Sequence, residues 1–236
     1  MNFSTPTLIV NKTITLNNLD KMINVANKNN LILRPHFKTH QSIEVGNWFK
    51  EKGVGSITVS SITMAEFFSS EWNDITIAFP FNILEIDKLN LIIRENRVKL
   101  LIDSISSLKV LDSQLEDPVE VFLKIDVGYN RAGLKVEEKQ KIKSIIEFCK
   151  TSKKISFLGF LAHFGDSYKS RNKTEIKNIF RKSIEKFRVL SDDFPDYQIS
   201  IGDTPTSSTI KKYPHFINEI RPGNFIFYDL AQYKIG

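Results

Sequence analysis

The strongest constraint on what this chain can fold into is an alternation. Eight runs rich in β-branched and aromatic residues recur along it, at Leu31–Lys38, Gly55–Ser60, Ile75–Phe79, Val98–Ile102, Val119–Asp126, Ser156–Phe164, Gln198–Gly202 and Glu219–Tyr228. Amphipathic stretches lie between them. Asn82–Arg94 places Ile83, Ile86, Leu89 and Ile93 on one helical face. Glu137–Lys150 does the same with Ile142, Ile145, Ile146 and Cys149, and Arg171–Leu190 with Ile176, Ile179, Phe180, Ile184 and Phe187. Near-continuous apolar strands separated by helices predict parallel strands covered by helices. Eight such units predict a closed (β/α)8 TIM-type barrel, with an open doubly wound sheet as the alternative. Ahead of the first strand lie Thr7–Val10 and an amphipathic helix, Leu16–Lys28, whose apolar face of Leu19, Ile23 and Ala26 is placed to cover the seam between the last and first strands.

A chain of 236 residues suits one such barrel. Its net charge of +6 comes from lysines spread along the whole sequence. No dense basic block with interleaved aromatics stands out, so nucleic acid is not an expected partner. Cys149 is the only cysteine, which excludes an internal disulfide and a cysteine zinc cluster. No apolar run approaches a membrane span, and Met1-Asn2-Phe3-Ser4-Thr5-Pro6 lacks the regions of a signal peptide. The expectation is a soluble cytoplasmic protein with no membrane partner.

In a parallel barrel, functional residues gather where strands end and the following loops begin. Lys38 is expected to end the first strand, in Arg34-Pro35-His36-Phe37-Lys38-Thr39-His40. A lysine there is placed to form a Schiff base, as with pyridoxal phosphate. Asp126 ends the fifth run, His163 the sixth, and Gly202-Asp203-Thr204-Pro205-Thr206 follows the seventh. The last of these suits a phosphate, through close backbone N–H groups and threonine hydroxyls, with Gly223 and Asn224 as neighbours. Arg34, His36 and Lys38 alternate onto one side, which puts a guanidinium inside the barrel. A buried arginine needs an acid; Asp103 and Asp126 are the candidates, and neither is favoured. No His-x-x-x-His or carboxylate–histidine pair has ligand spacing, so no metal site is expected within the chain.

These stretches resemble the D-threonine aldolase and D-serine dehydratase group of pyridoxal phosphate enzymes, which share the fold type III barrel of alanine racemase. The resemblance runs from about Thr5 to the end. It is carried by the lysine motif, Ile125-Asp126-Val127-Gly128-Tyr129-Asn130-Arg131-Ala132-Gly133, Ala162-His163-Phe164-Gly165-Asp166-Ser167-Tyr168, the turn at Gly202, and Glu219-Ile220-Arg221-Pro222-Gly223-Asn224-Phe225-Ile226-Phe227-Tyr228-Asp229. It implies that Lys38 carries the cofactor and that His163 lies against its ring. It implies that Gly202, Asp203, Thr204, Gly223 and Asn224 hold the phosphate. Arg221 would face the pyridine nitrogen, Arg131 would lie near the substrate carboxylate, and Tyr168 would line the pocket. The implied function is a lyase acting on a D-β-hydroxy amino acid, with aldolase weighed slightly ahead of dehydratase, in a homodimer. A non-catalytic pyridoxal phosphate homeostasis protein and a racemase are the alternatives. The family also implies a β-rich second domain bearing ligands for a divalent metal. Nothing follows Gly236, so the chain is expected to be the barrel portion, residues 1–236, of a longer enzyme. Leu8-Ile9-Val10 is then expected to be an unpaired apolar edge.

Overall fold

Apolar and polar residues alternate within the strands, and the alternation decides which side meets the helices. In the strand Val119–Asp126, Val121, Leu123 and Ile125 join the large core beneath the helices, whereas Phe122 belongs to a small inner cluster with Leu101 and Leu161. The same reading holds for Ser-Ile-Thr-Val at 56–59 and Arg-Val-Lys-Leu at 97–100: isoleucine, valine and leucine face outward, and polar residues face the barrel axis. The apolar runs are therefore the outer half of each strand, and much of the inner half is polar.

The computed structural model describes Thr7 and residues 9–235. In chain order the elements are α1 (Lys12–Lys28), β1 (Ile32–Leu33), α2 (Ile43–Glu51), β2 (Ser56–Val59), α3 (Ile62–Ser69), β3 (Asp74–Pro80), α4 (Ile86–Ile93), β4 (Arg97–Ile102), α5 (Ile105–Gln114) and β5 (Val119–Asp126). They continue with β6 (Leu134–Lys135), α6 (Lys139–Thr151), β7 (Ile155–His163), α7 (Lys173–Asp193), β8 (Gln198–Gly202), α8 (Thr204–Thr209), β9 (Glu219–Ile220) and α9 (Leu230–Ile235). The strands pair in the order β1-β9-β8-β7-β5-β4-β3-β2, all parallel, and β6 adds to β5 outside the ring. The ring closes where Thr58 N donates to Pro35 O at 2.8 Å, beside a parallel bridge between His36 and Thr58. This is the barrel, and the open sheet is set aside. Side-chain caps start many of the helices: Asn11, Ser42, Ser61, Ser104, Asn172 and Asp203 each accept from a backbone N–H in the first turn.

Several boundaries differ from expectation for local reasons. β1 stops at Leu33 instead of running to Lys38, because Pro35 has no N–H to give and the chain turns into a 3-10 helix at Phe37–Thr39. Lys38 therefore sits in that turn, with its N–H donating to His36 Nδ1 at 3.4 Å. β9 covers only Glu219–Ile220, since Pro222 and Gly223 break it ahead of a 3-10 turn at Asn224–Ile226. The first helix starts earlier, at Lys12, where Asn11 caps it, and its buried Leu19, Met22 and Ala26 face the core. Asn82–Arg94 divides into a 3-10 turn, Ile83–Glu85, and α4. Of the expected apolar edge, Leu8 lies outside the described residues, and Ile9 and Val10 are in neither helix nor strand. No described helix is long and apolar enough to cross a membrane.

Candidate active site

Two cavities open at the C-terminal end of the barrel, one of about 540 Å³ and one of about 200 Å³. His36, Lys38, His163 and Arg221 line both, so the two form one divided site. Lys38 and Gly202, far apart in sequence, share the smaller cavity.

Each of these side chains is set by its neighbours. The Lys38 amine is held below the ordinary lysine range, first by loss of water around it and then by repulsion from Arg131 and Arg221. A larger neutral fraction makes it a better nucleophile. His163 Nδ1 lies 2.7 Å from Gly202 O. A carbonyl only accepts, so the proton is on Nδ1 and Nε2 carries a lone pair. Burial pushes the His163 pKa down to about 3, against the help of that carbonyl, so the ring is neutral. The Tyr168 ring lies 5.9 Å from His163, and its hydroxyl accepts from Thr204 N at 3.2 Å.

The smaller cavity is built from crossing backbones. A Cβ at Gly202 would fall 2.7 Å from Arg221 Cβ, so only glycine lets β8 end this close to the chain leaving β9. Gly223 N donates to Thr204 Oγ1 at 3.0 Å, tying the two loops together. The Asp203 carboxylate turns inward, where its Oδ2 accepts from Ser167 Oγ at 2.5 Å and Thr206 N at 2.7 Å. Burial raises its pKa to about 6 in spite of those donors. Its carboxylate is thus committed to capping α8, which leaves the backbone around it to meet an anion. Asn224 also lines this cavity, while its side chain donates to Asp229 Oδ2 at 3.0 Å and accepts from Gln232 Nε2 at 2.7 Å.

The larger cavity is cationic. Lys38, Lys124, Arg131 and Arg221 line it, with Glu85 as its carboxylate. Arg131 is positioned by an Asx loop, in which Asp126 Oδ1 accepts from Gly128 N at 2.9 Å and Asn130 N at 3.0 Å. Its guanidinium lies 5.5 Å from the Tyr129 ring centre. Arg221 is fully buried, with Nε donating to Ser200 Oγ at 2.7 Å and Nη2 to Ala162 O at 2.6 Å. Burial, with Arg34 nearby, lowers its pKa to about 10.

The donor set fits pyridoxal phosphate. An amine that is easily neutral faces one cavity lined by the Gly202 and Gly223 backbones, whose Asp203 carboxylate is taken up in capping, and arginine lies between that cavity and the larger one. The comparisons agree: the family model for the alanine racemase N-terminal domain matches residues 12–230. The chain belongs to that family. It is 34% identical to D-serine dehydratase of Dictyostelium discoideum over 264 residues, covering 100% of this chain and 65% of that protein. In fold it matches D-threo-3-hydroxyaspartate dehydratase from Delftia sp. HT23, with a TM-score of 0.89 at 23% identity, covering 99% of this chain and 64% of that one. It also matches D-threonine aldolase from Filomicrobium marinum, with a TM-score of 0.85 at 18% identity, covering 99% and 65%. The chain thus spans about two thirds of the length of these relatives.

Against this racemase-family frame, the barrel gathers Lys38, His163, Tyr168, Gly202, Asp203, Thr204, Arg221, Gly223 and Asn224 around the smaller cavity, and Arg131 on the larger. The partner of Arg34 is a correction. Neither Asp103 nor Asp126 meets it; Glu219 Oε2 accepts from its Nε at 2.5 Å, and Asp74 takes its other end at 2.7 and 3.1 Å. These acids hold its pKa above the ordinary arginine value against the effect of burial. Sequence reading missed Lys124, which is 6% exposed and whose pKa burial lowers to about 7, helped by Arg221 and Arg131. Its signal was available: a lysine at an inward position of a strand with both faces covered.

Proposed function

We propose that this barrel is the cofactor-binding part of a pyridoxal phosphate-dependent lyase acting on D-β-hydroxy amino acids, a dehydratase of the D-serine type. One observation carries the reading: Lys38 shares one cavity with Gly202, Asp203 and Gly223 and a second with Arg131. The 34% identity to a D-serine dehydratase moves the reading from aldolase to dehydratase.

Pyridoxal phosphate, when bound, supplies an aldehyde and an electron-withdrawing ring that stabilises negative charge at the substrate Cα. The residues of this chain do the rest. Lys38 Nζ would hold the cofactor through its aldehyde, and as a free amine it would be the base placed for the substrate Cα proton. The loops at Gly202–Thr204 and Gly223–Asn224 would hold the phosphate, with the Thr204 and Gly223 N–H groups turning to it from Tyr168 and Thr204 Oγ1, to which they donate here. The neutral His163 ring would lie against the cofactor, and Arg131 would pair with the substrate carboxylate. Ile77, Phe79 and Phe81 wall the larger cavity and limit water. The relatives extend beyond the span matched here, and in this reading the further length supplies the metal ligands that assist departure of the β-hydroxyl. The proposed partner is a small D-amino acid, in a cytoplasmic homodimer.

The test is spectroscopic. Protein mixed with pyridoxal phosphate should gain a visible band that borohydride reduction fixes onto Lys38, and Lys38→Ala should abolish it. A band of equal strength in that variant would overturn the assignment.

A further inference from the structure

The barrel interior contains a connected layer of charge that the proposed reaction does not use. Lys99 on β4 pairs with Asp74 on β3, Asp74 with Arg34 after β1, and Arg34 with Glu219 on β9. Glu219 Oε1 then accepts from Ser200 Oγ on β8 at 2.6 Å, and Ser200 Oγ accepts from Arg221 Nε at 2.7 Å. Ser200, Glu219 and Arg34 are at most 2% exposed. Only the far end, Arg221, reaches the cavities.

We propose that Ser200 and Glu219 are positioning residues for Arg221, holding its guanidinium so that Nη1 alone is presented to the cavity. The hydrogen-bond chemistry forces the direction. A carboxylate has no proton, so it can only accept, and the single Ser200 proton must go to Glu219. The Ser200 lone pairs then face the Arg221 Nε–H. Ala162 O takes Nη2–H at 2.6 Å. A planar guanidinium with two of its nitrogens tied in different directions cannot turn, and Nη1 is the nitrogen left over. Glu219 in turn cannot swing toward Arg221, because Arg34 Nε holds its second oxygen at 2.5 Å and Asp74 anchors Arg34 from behind. The buried arginine of the first motif thereby acquires a purpose: it braces the acid that orients the serine.

What Nη1 would meet in the cavity rests on the function proposed above together with the family resemblance, which implies the ring nitrogen of pyridoxal phosphate. The orientation itself does not rest on it, and the test separates the two. In cofactor-free protein, the Arg221 Nε–H can be followed by ¹⁵N NMR, assigned by the signal lost in Arg221→Lys. It should exchange with solvent far more slowly than surface arginines. Ser200→Ala should release it to fast exchange, and Ser200→Thr, which keeps the hydroxyl, should restore protection. With pyridoxal phosphate added, Ser200→Ala and Glu219→Gln should shift the visible band and weaken cofactor binding about tenfold, the cost of losing one oriented contact, while Ser200→Thr stays near wild type. Fast exchange of Nε–H in the wild type would overturn the proposal, as would a Ser200→Ala protein with unchanged exchange and spectrum. Should Ser200→Ala fail to fold, wild-type exchange and Glu219→Gln still decide it. A wild type that never binds the cofactor through Lys38 would sink the proposed function and leave the exchange result standing.

Discussion

Tyr129 shows how one missing side chain can set a binding group. A Cβ at Gly165 would lie 2.3 Å from the Tyr129 ring, so the ring occupies the space glycine leaves. That ring stands 5.9 Å from His163, with Arg131 at 5.5 Å and Lys169 at 5.4 Å from its centre. Gly165→Ala must push Tyr129 aside, and Arg131 loses the surface it lies on. Overpacking of this kind costs about 1–3 kcal/mol. On the proposed function, the variant should bind pyridoxal phosphate with an unchanged band, yet need about tenfold more of a D-β-hydroxy amino acid to perturb that band. An unaltered titration would mean that Tyr129 does not position Arg131. Legibility at this scale was uneven. Lys38 and His163 drew attention at expected strand ends, while the roles of His163 and Arg221 came only through the family resemblance. Tyr129 was quoted only as part of a motif, because what matters is a contact with a glycine 36 residues away in sequence (165 − 129), which no local pattern displays.

Short elements at the rim are held by their caps. α8 has one and a half turns, too few to be stable without tertiary support. Asp203 supplies that support by accepting from Thr206 N and Ser167 Oγ. Removing a cap of this kind costs about 1–2 kcal/mol, and here two buried donors would be left unpaired. Asp203→Ala should lower stability to urea by at least that amount, and Asp203→Asn, which keeps an acceptor oxygen, by clearly less. Equal losses would show that the charge, not the acceptor, is what α8 needs. The same reasoning explains which element boundaries could be read. α6 and α7 begin and end within three residues of expectation, because their apolar spacing is long and regular. β1 and β9 shrank to two residues each, because Pro35 and Pro222 remove backbone donors inside runs whose composition still reads as strand.

Ring closure and burial act on the whole molecule together. Closure makes β1 a neighbour of β9, and only then does Glu219 become the partner of Arg34; in sequence the two stand 185 positions apart. An acid chosen by proximity to other strand ends could not have anticipated it. The same enclosure keeps His36, His40 and His163 neutral. Burial lowers all three below the ordinary histidine value, His40 to about 4 and His163 to about 3. An unfolded chain binds a proton at each near pH 6.5, so between that pH and the folded values unfolding takes up protons and stability decreases as the pH is lowered. Each group contributes a slope of up to about 1.4 kcal/mol per pH unit. Asp203 acts in the opposite sense: its folded value of about 6 lies above that of an exposed carboxylate, so it binds its proton more readily when folded and favours folding as pH falls toward 4. One opposing group does not cancel three. The urea midpoint of the cofactor-free protein should therefore fall modestly from pH 8 to 7, where buried Lys124 binds less of a proton folded than unfolded, and drop steeply from 6.5 to 4. Replacing His40 by Gln should flatten that drop by between about a third and a half, since one of three titrating rings is gone and Asp203 already offsets part of the total. A midpoint independent of pH over this range would show that the histidines are already solvated in the folded barrel.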